Sequence, residues 1–181
     1  MSDSIILTIN QILSCENRYI KKYSFSKLIN NAGKEIANYI KKKYKNKKVI
    51  FICGPGNNGN DGKLANKFFK NNNSIIDLNS KLIDFIKFEK KLQETDVIVD
   101  CIFGIGLNRK LTGKFNTIVK IINKSGKKII SIDVPSGIDG ETGEIMGNCV
   151  RANLTLAMEF LKPSYFLHPG KSFSGKIQKI K

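Results

Sequence analysis

Three short runs in this chain are apolar at almost every position: Val49-Ile50-Phe51-Ile52, Val97-Ile98-Val99 and Ile129-Ile130-Ser131-Ile132. A strand that faces water on one side alternates apolar and polar residues, so runs of this kind need cover on both faces. Segments with helical spacing separate them. Strand and helix in alternation predict a parallel sheet with helices packed on each side.

The expected fold class is α/β: a three-layer αβα sandwich, Rossmann-like, with a mostly parallel central sheet. Strands are expected at 49–53, 74–78 (short and weak), 97–103, 128–134, 152–160 and 176–180, with helices at 62–70, 81–93 and 115–123. Ahead of them, Phe25, Leu28, Ile29, Ala32, Ile36, Ala37 and Ile40 recur at helical spacing. Ser24 or Ser26 can cap that helix, and Lys41-Lys42-Lys43 suit its C-terminus. An earlier helix is expected from Ile5 to Leu13, or on toward Ile20. The length of 181 residues fits one domain, with N-terminal helices over 1–45 and the α/β core over 48–181. Asn71-Asn72-Asn73 reads as a polar turn, not a boundary.

A hydrophobic fraction of 41% supports a real core. No apolar run approaches the roughly 18 residues of a membrane span. Met1-Ser2-Asp3-Ser4 opens without the basic segment of a secretory signal. A cytoplasmic protein with no membrane partner is therefore expected. The four cysteines, Cys15, Cys53, Cys101 and Cys149, lie far apart and form no zinc-type pair. Cys53 and Cys101 end apolar runs and read as small buried hydrophobes. The net charge of +16 comes almost wholly from lysines spread along the chain. With no basic motif interleaved with aromatics, it reads as compositional drift and not as a nucleic-acid surface. His168, the one histidine, sits in an expected loop and reads as structural or exposed. Tyr165 and Phe166 can stack on a base, although core packing is their simpler use.

Ligands of such sheets bind beyond the carboxyl ends of the strands. Three strands here end in unusual residues. The first runs into Cys53-Gly54-Pro55-Gly56-Asn57-Asn58-Gly59-Asn60-Asp61-Gly62 and then a helix, an arrangement that aims backbone N–H groups and a helix N-terminus at an anion. It carries neither a Walker ending nor the usual dinucleotide glycine spacing. The second continues as Asp100-Cys101-Ile102-Phe103-Gly104-Ile105-Gly106-Leu107-Asn108-Arg109, and the third as Asp133-Val134-Pro135-Ser136-Gly137. Each alone has a plain structural use as a turn or strand end. At one edge of one sheet, their polar groups converge.

Backbone amides of Asn57, Asn58, Gly59, Asn60 and Asp61, and of Gly104, Ile105, Gly106, Leu107, Asn108, Arg109 and Lys110, can cradle phosphates, with Arg109 and Lys110 adding charge. Asn58, Asp100 and Ser136 supply only oxygen atoms and one formal charge, a set suited to a monovalent cation and poor for zinc or magnesium. Asp133, partly buried at the mouth, is placed to exchange a proton.

Together these three motifs resemble the NAD(P)H-hydrate epimerase family, the YjeF N-terminal domain. That family's usual pattern is Gly-Pro-Gly-Asn-Asn-Gly-Gly-Asp-Gly, then Asp-x-x-Phe-Gly-x-Gly-Leu, then Asp-x-Pro-Ser-Gly. Ala152-Asn153-Leu154-Thr155, Lys162-Pro163, Pro169-Gly170 and Gly175 look like its closing segment, so the resemblance runs from about Leu28 to the C-terminus. It implies an isomerase that interconverts the R and S epimers of hydrated NADH or NADPH (NADHX, NADPHX). A separate dehydratase repairs the S form, and no second domain of that kind is expected within this chain. The resemblance also implies substrate contacts from residues 57–61 and 104–110 and from Asp133. It implies one potassium ion per subunit on Asn58, Asp100 and Ser136, and a homodimer. Asp133 is the expected catalytic residue. The chain departs from the family at Asn60, where a glycine is usual, and at Asn30, where a glutamate is usual. It is also short between Lys70 and Asp96.

Two other readings differ in kind. Proteins similar to this domain serve as non-catalytic dimerisation modules that can bind RNA, but tend to lose the loop asparagines and the aspartate kept here. A hydride-transferring dehydrogenase shares the fold but needs a fingerprint that this chain lacks.

Overall fold

The computed structural model describes residues 5–70, 72–79 and 82–180. Residues 1–4, Asn71 of the expected turn and Lys81 of the expected helix start lie outside the described residues. Along the chain run α1 (Ile9–Lys22), α2 (Phe25–Lys43), β1 (Val49–Cys53), α3 (Asn57–Phe69), β2 (Asn73–Asp77), α4 (Phe85–Gln93), β3 (Val97–Cys101), α5 (Gly113–Lys124), β4 (Lys128–Ile132), β5 (Leu154–Met158), a 3-10 turn at Pro163–Tyr165, α6 (Gly170–Ser174) and β6 (Lys176–Ile180).

The strands form one sheet in the order β2-β1-β3-β4-β5-β6, and every pairing is parallel. Side chains alternate between two cores, as the two-residue strand period requires. Phe51, Val99, Ile130 and Leu156 meet Ile36, Ala37, Ile40, Ala65 and Phe69 of α2 and α3 on one face. Ile50, Ile52, Ile98 and Ile129 meet Phe88, Leu92, Ile118, Val119 and Ile122 of α4 and α5 on the other. The three-layer α/β expectation is met. A third cluster, with Val134, Ile138, Cys149, Ala157 and Tyr165, fills the space under the long β4–β5 connection. Cys53 and Cys101 are buried register neighbours with free thiols. Among the described residues, no helix is long and apolar enough to cross a membrane.

Several element ends differ from expectation, each for a local reason. The third helix starts at Asn57 and not at Gly62, with Gly56 as its N-cap. The fourth starts at Phe85, where the Asp84 side chain accepts from the Lys87 N–H at 3.0 Å. β4 stops at Ile132 because Asp133 takes φ +69. β5 is trimmed by Glu159, at φ +53, and by Asn153, whose Oδ1 accepts from the Ile129 N–H at 2.7 Å.

Chain reversal between β1 and β3 puts the topological switch point there, since the path leaves β1 for β2 on one side and returns to β3 on the other. α1 lies at the same end of the sheet. The Leu7 N–H donates to Leu161 O at 3.0 Å, and the Ile9 N–H to Glu141 Oε2 at 2.6 Å. Thr8 and Gln11 close a reciprocal capping box at its start.

Packing of α3 on the sheet leaves no space for a methyl group at Gly62, where a Cβ would lie 2.6 Å from Cys101 Sγ and 2.8 Å from Cys53 Sγ. Alanine gains about 1 kcal/mol of helix propensity over glycine, but overpacking costs about 1–3 kcal/mol. Gly62→Ala is therefore expected to lower stability by up to about 2 kcal/mol, read as a lower urea midpoint. An unchanged or raised midpoint would show that the two strands yield.

Candidate active site

Three loops and one helix N-terminus meet beyond the carboxyl ends of β1, β3 and β4. Close backbone packing brings them together. A Cβ on Gly54 would sit 2.0 Å from Ile102 O, and one on Gly59 would sit 1.9 Å from Gly54 O. Only glycine lets these segments approach so closely.

Asp100 is the knot of this arrangement. It is fully buried, and its two oxygens collect four donors. Oδ1 accepts from Ser136 Oγ at 2.6 Å and from the Ile102 N–H at 3.2 Å. Oδ2 accepts from Ser131 Oγ at 2.7 Å and from the Ser136 N–H at 3.0 Å. Burial pushes its carboxyl above the ordinary value, against the pull of these bonds. Ser136 Oγ also accepts from the Phe103 N–H at 2.9 Å, which adds a third bond between Ser136 and the chain of β3 and its following loop. Asn58 is buried in the first turn of α3 and donates Nδ2 to Ile132 O at 3.2 Å, while its Oδ1 is buried with no hydrogen-bond partner. An orphaned buried acceptor of this kind fits a cation. Of the set Asn58, Asp100 and Ser136, Asn58 Oδ1 is the oxygen left without a partner, and it suits the ion that the family resemblance implies.

Asp133 sits at the end of β4 in the left-handed region, which is uncommon for a residue with a side chain. Its N–H donates to Leu156 O at 2.9 Å, and its carbonyl accepts from the hydroxyl of buried Tyr165. The side chain is 14% exposed. Oδ1 is 2.6 Å from the Nζ of Lys162, and Oδ2 accepts from the Ile105 N–H at 3.1 Å. Gly104 lies against it: a Cβ there would be 2.7 Å from Oδ2 and 3.4 Å from Asn58 Cγ.

Two more carboxyls face this ion pair. Asp61 of α3 has a buried, unpartnered Oδ1, and its pKa is pushed up to about 8, by burial first and then by the charges of Asp133 and Glu16. Glu16 of α1 is also raised, by burial and by Asp133, with Lys162 acting the other way. The cluster thus holds a proton on Asp61 at neutral pH. Burial and the Asp133 charge push the Tyr165 phenol well up.

The expected contact residues divide. Asn58 and Gly59 are buried, Asn60, Asp61, Gly104 and Ile105 are half-buried, and Asn57, Gly106, Asn108, Arg109 and Lys110 are exposed. Three expected phosphate amides are already engaged. The Asn60 N–H donates to Gly56 O at 3.1 Å, the Leu107 N–H to Gly104 O at 3.2 Å, and the Ile105 N–H to Asp133. The amides of Asn57 to Gly59 lie in the first turn, where a helix leaves donors without an intrahelical acceptor. Leu107 belongs to the core. Tyr165 is buried and Phe166 is exposed. Sequence reasoning missed Lys162 and Glu16 as members of the site. Glu16 is the one acid of α1. Lys162 had a signal, a lone lysine between an apolar segment and a proline.

Comparison with known proteins finds similar sequences and a similar fold. A family model described as "YjeF-related protein N-terminus" matches residues 26–81 and 71–164. The "Bifunctional NAD(P)H-hydrate repair enzyme Nnr" of Dictyoglomus turgidum is 35% identical over 95% of this chain, which spans only 39% of that relative's length. The "NAD(P)H-hydrate epimerase" of Limosilactobacillus fermentum is 27% identical over 72% of each chain. The crystal structure of the yeast protein ynu0 superposes with a TM-score of 0.78 at 22% identity, over 89% of this chain and 83% of that one, and shows the same fold.

Asp61 gives the site a signature in stability. Its carboxyl ionises near 3.8 in the unfolded chain and near 8 in the folded one. Between these values the folded state binds the extra proton, so stability falls as pH rises from about 4 to about 8 and levels off above. Asp61→Asn is expected to flatten that decline. Urea midpoints at pH 5 and pH 8 check this, and an equal decline in both proteins would remove Asp61 as its source.

Proposed function

The chain belongs to the family of YjeF-related protein N-terminal domains, and from that premise we propose that it is an isomerase interconverting the R and S hydrates of NADH and NADPH. One observation carries the reading: the partly exposed carboxyl of Asp133 stands where the loops after β1, β3 and β4 meet, with Lys162 and the Ile105 N–H fixing its two oxygens. The names of the relatives support the substrate class.

The chemistry needs little more. The lone pair of the hydrated ring's nitrogen expels the adjacent hydroxyl, and the C–O bond breaks as a proton from Asp133 turns the leaving group into water. A planar iminium remains. Water then adds to the opposite face, a new C–O bond forms, and its proton returns to the Asp133 carboxylate. In the resting site Asp133 stands as the partner of the Lys162 ammonium, so the cycle begins with uptake of a proton. Asp61 is the neighbouring carboxyl that holds one below about pH 8. First-turn amides of α3, with exposed Arg109 and Lys110, are the groups suited to the diphosphate. Asn58, Asp100 and Ser136 would hold one potassium ion per subunit, whose charge would offset the buried Asp100 carboxylate. We place the protein in the cytoplasm as a homodimer, supplying the S hydrate to a dehydratase.

Asp133→Asn is expected to slow epimer interconversion at least 100-fold, within the usual range of general acid–base catalysis, while leaving dinucleotide affinity unchanged. Chromatography of purified R or S hydrate reads the rate, and parental speed in the variant would refute the role of Asp133. The cation has its own test at constant ionic strength. Replacing tetramethylammonium with potassium should raise the Tm of the parent and leave that of Asn58→Ala unmoved. An equal response in both proteins would place the ion elsewhere.

A further inference from the structure

We infer that Lys162 is a positioning residue that orients the Asp133 carboxyl and leaves Oδ2 as the oxygen through which the proton is exchanged. The inference rests on the epimerase reading and adds to it a residue and an atom.

The Lys162 side chain is fully buried. An ammonium has three N–H donors, and three acceptors take them: Asp133 Oδ1 at 2.6 Å, Met158 O at 2.8 Å and Phe160 O at 3.0 Å. No donor remains for a phosphate or a ring hydroxyl, and no surface remains for a substrate to touch. Lys162 therefore acts through Asp133. The two carbonyls belong to the end of β5 and the residue just past Glu159, which turns the chain at φ +53. Asp133 belongs to the end of β4, the adjacent strand. The lysine ties the two strand ends together at the height of the site.

This pairing makes the two carboxyl oxygens unequal. Oδ1 is held by the ammonium of a fully buried side chain. Oδ2 accepts one bond, from the Ile105 N–H, and lies beside Gly104. A methyl group at Gly104 would stand 2.7 Å from Oδ2, so only glycine leaves that oxygen its place there. Proton uptake and release at Oδ2 leave the lysine pairing intact, whereas exchange at Oδ1 would break it.

A double-mutant cycle tests this. Lys162→Met should lower kcat at least tenfold with KM for the hydrate within threefold of the parent. In the Asp133→Asn background the same change should lower kcat by less than twofold more. A purely structural role would instead give the same loss in both backgrounds, and that result, or a parental kcat in Lys162→Met, overturns the inference. If circular dichroism shows Lys162→Met unfolded, Lys162→Gln, whose amide can serve the two carbonyls, takes its place in the cycle. Gly104→Ala should also lower kcat at least tenfold, and a parental rate there would overturn the assignment to Oδ2. If the parent protein does not interconvert the hydrates, the epimerase reading falls by itself. A crystal structure of Lys162→Gln then decides the positioning role. Loss of the Asp133 contact with the Ile105 N–H supports it, and an unmoved carboxyl overturns it.

Discussion

A carboxylate without access to water must collect its hydrogen bonds from the chain around it, and Asp100 does so from three separate segments. Hydrogen bonds to a charged group contribute about 1.5–3 kcal/mol each. Breaking a buried charged arrangement by removing one partner costs about 3–5 kcal/mol. Ser131 in β4, Ser136 in the following loop and Ile102 beyond β3 are held to one another through this single side chain. The path from β4 into Asp133, and so the direction of the Asp133 carboxyl, follows from that tie. The packing that admits it is equally strict, since Gly54 lets the first loop close against Ile102 and Gly59 lets α3 close against Gly54.

Much of the fold was legible because the signals are local. Runs such as Val49-Ile50-Phe51-Ile52 identify a strand covered on both faces, and the strand ends point to the site. What was not legible depends on distant partners. Gly59 looks like a loop residue because glycine weakens an isolated helix. It lies inside α3, where the Gly54 backbone presses too close for any side chain. The apolar run suggests a β4 two residues longer than the strand itself, because nothing in Val134 announces that Asp133 takes a positive φ. The motif residues Asp100, Asp133 and Ser136 were visible, but Lys162 and Glu16 reach the cluster from β5's far end and from α1. Only the folded chain shows that a lysine 29 positions after Asp133 is its partner.

Charge is arranged against the average. The chain as a whole carries +16, yet Asp133, Asp61 and Glu16 gather around one buried lysine. Exposed Arg109 and Lys110 lie on the loop after β3. A ligand with an anionic end and a reactive ring suits such a division, with phosphates toward the basic loop and the ring toward the acids. The bulk of the lysines takes no part in it.

The two thiols beneath Gly62 have a consequence for the lifetime of the protein. Cys53 and Cys101 stand so close beneath α3 that even a methyl group at Gly62 would meet both sulfurs, and an oxygen atom added on that side of either sulfur would press on the helix. Oxidation there would have to lift α3, and with it the wall that carries Asn58 and Asp61. Peroxide damage deep in the sheet and loss of the site at its edge are thus one event, and the integrity of the site depends on keeping that pair of sulfurs reduced.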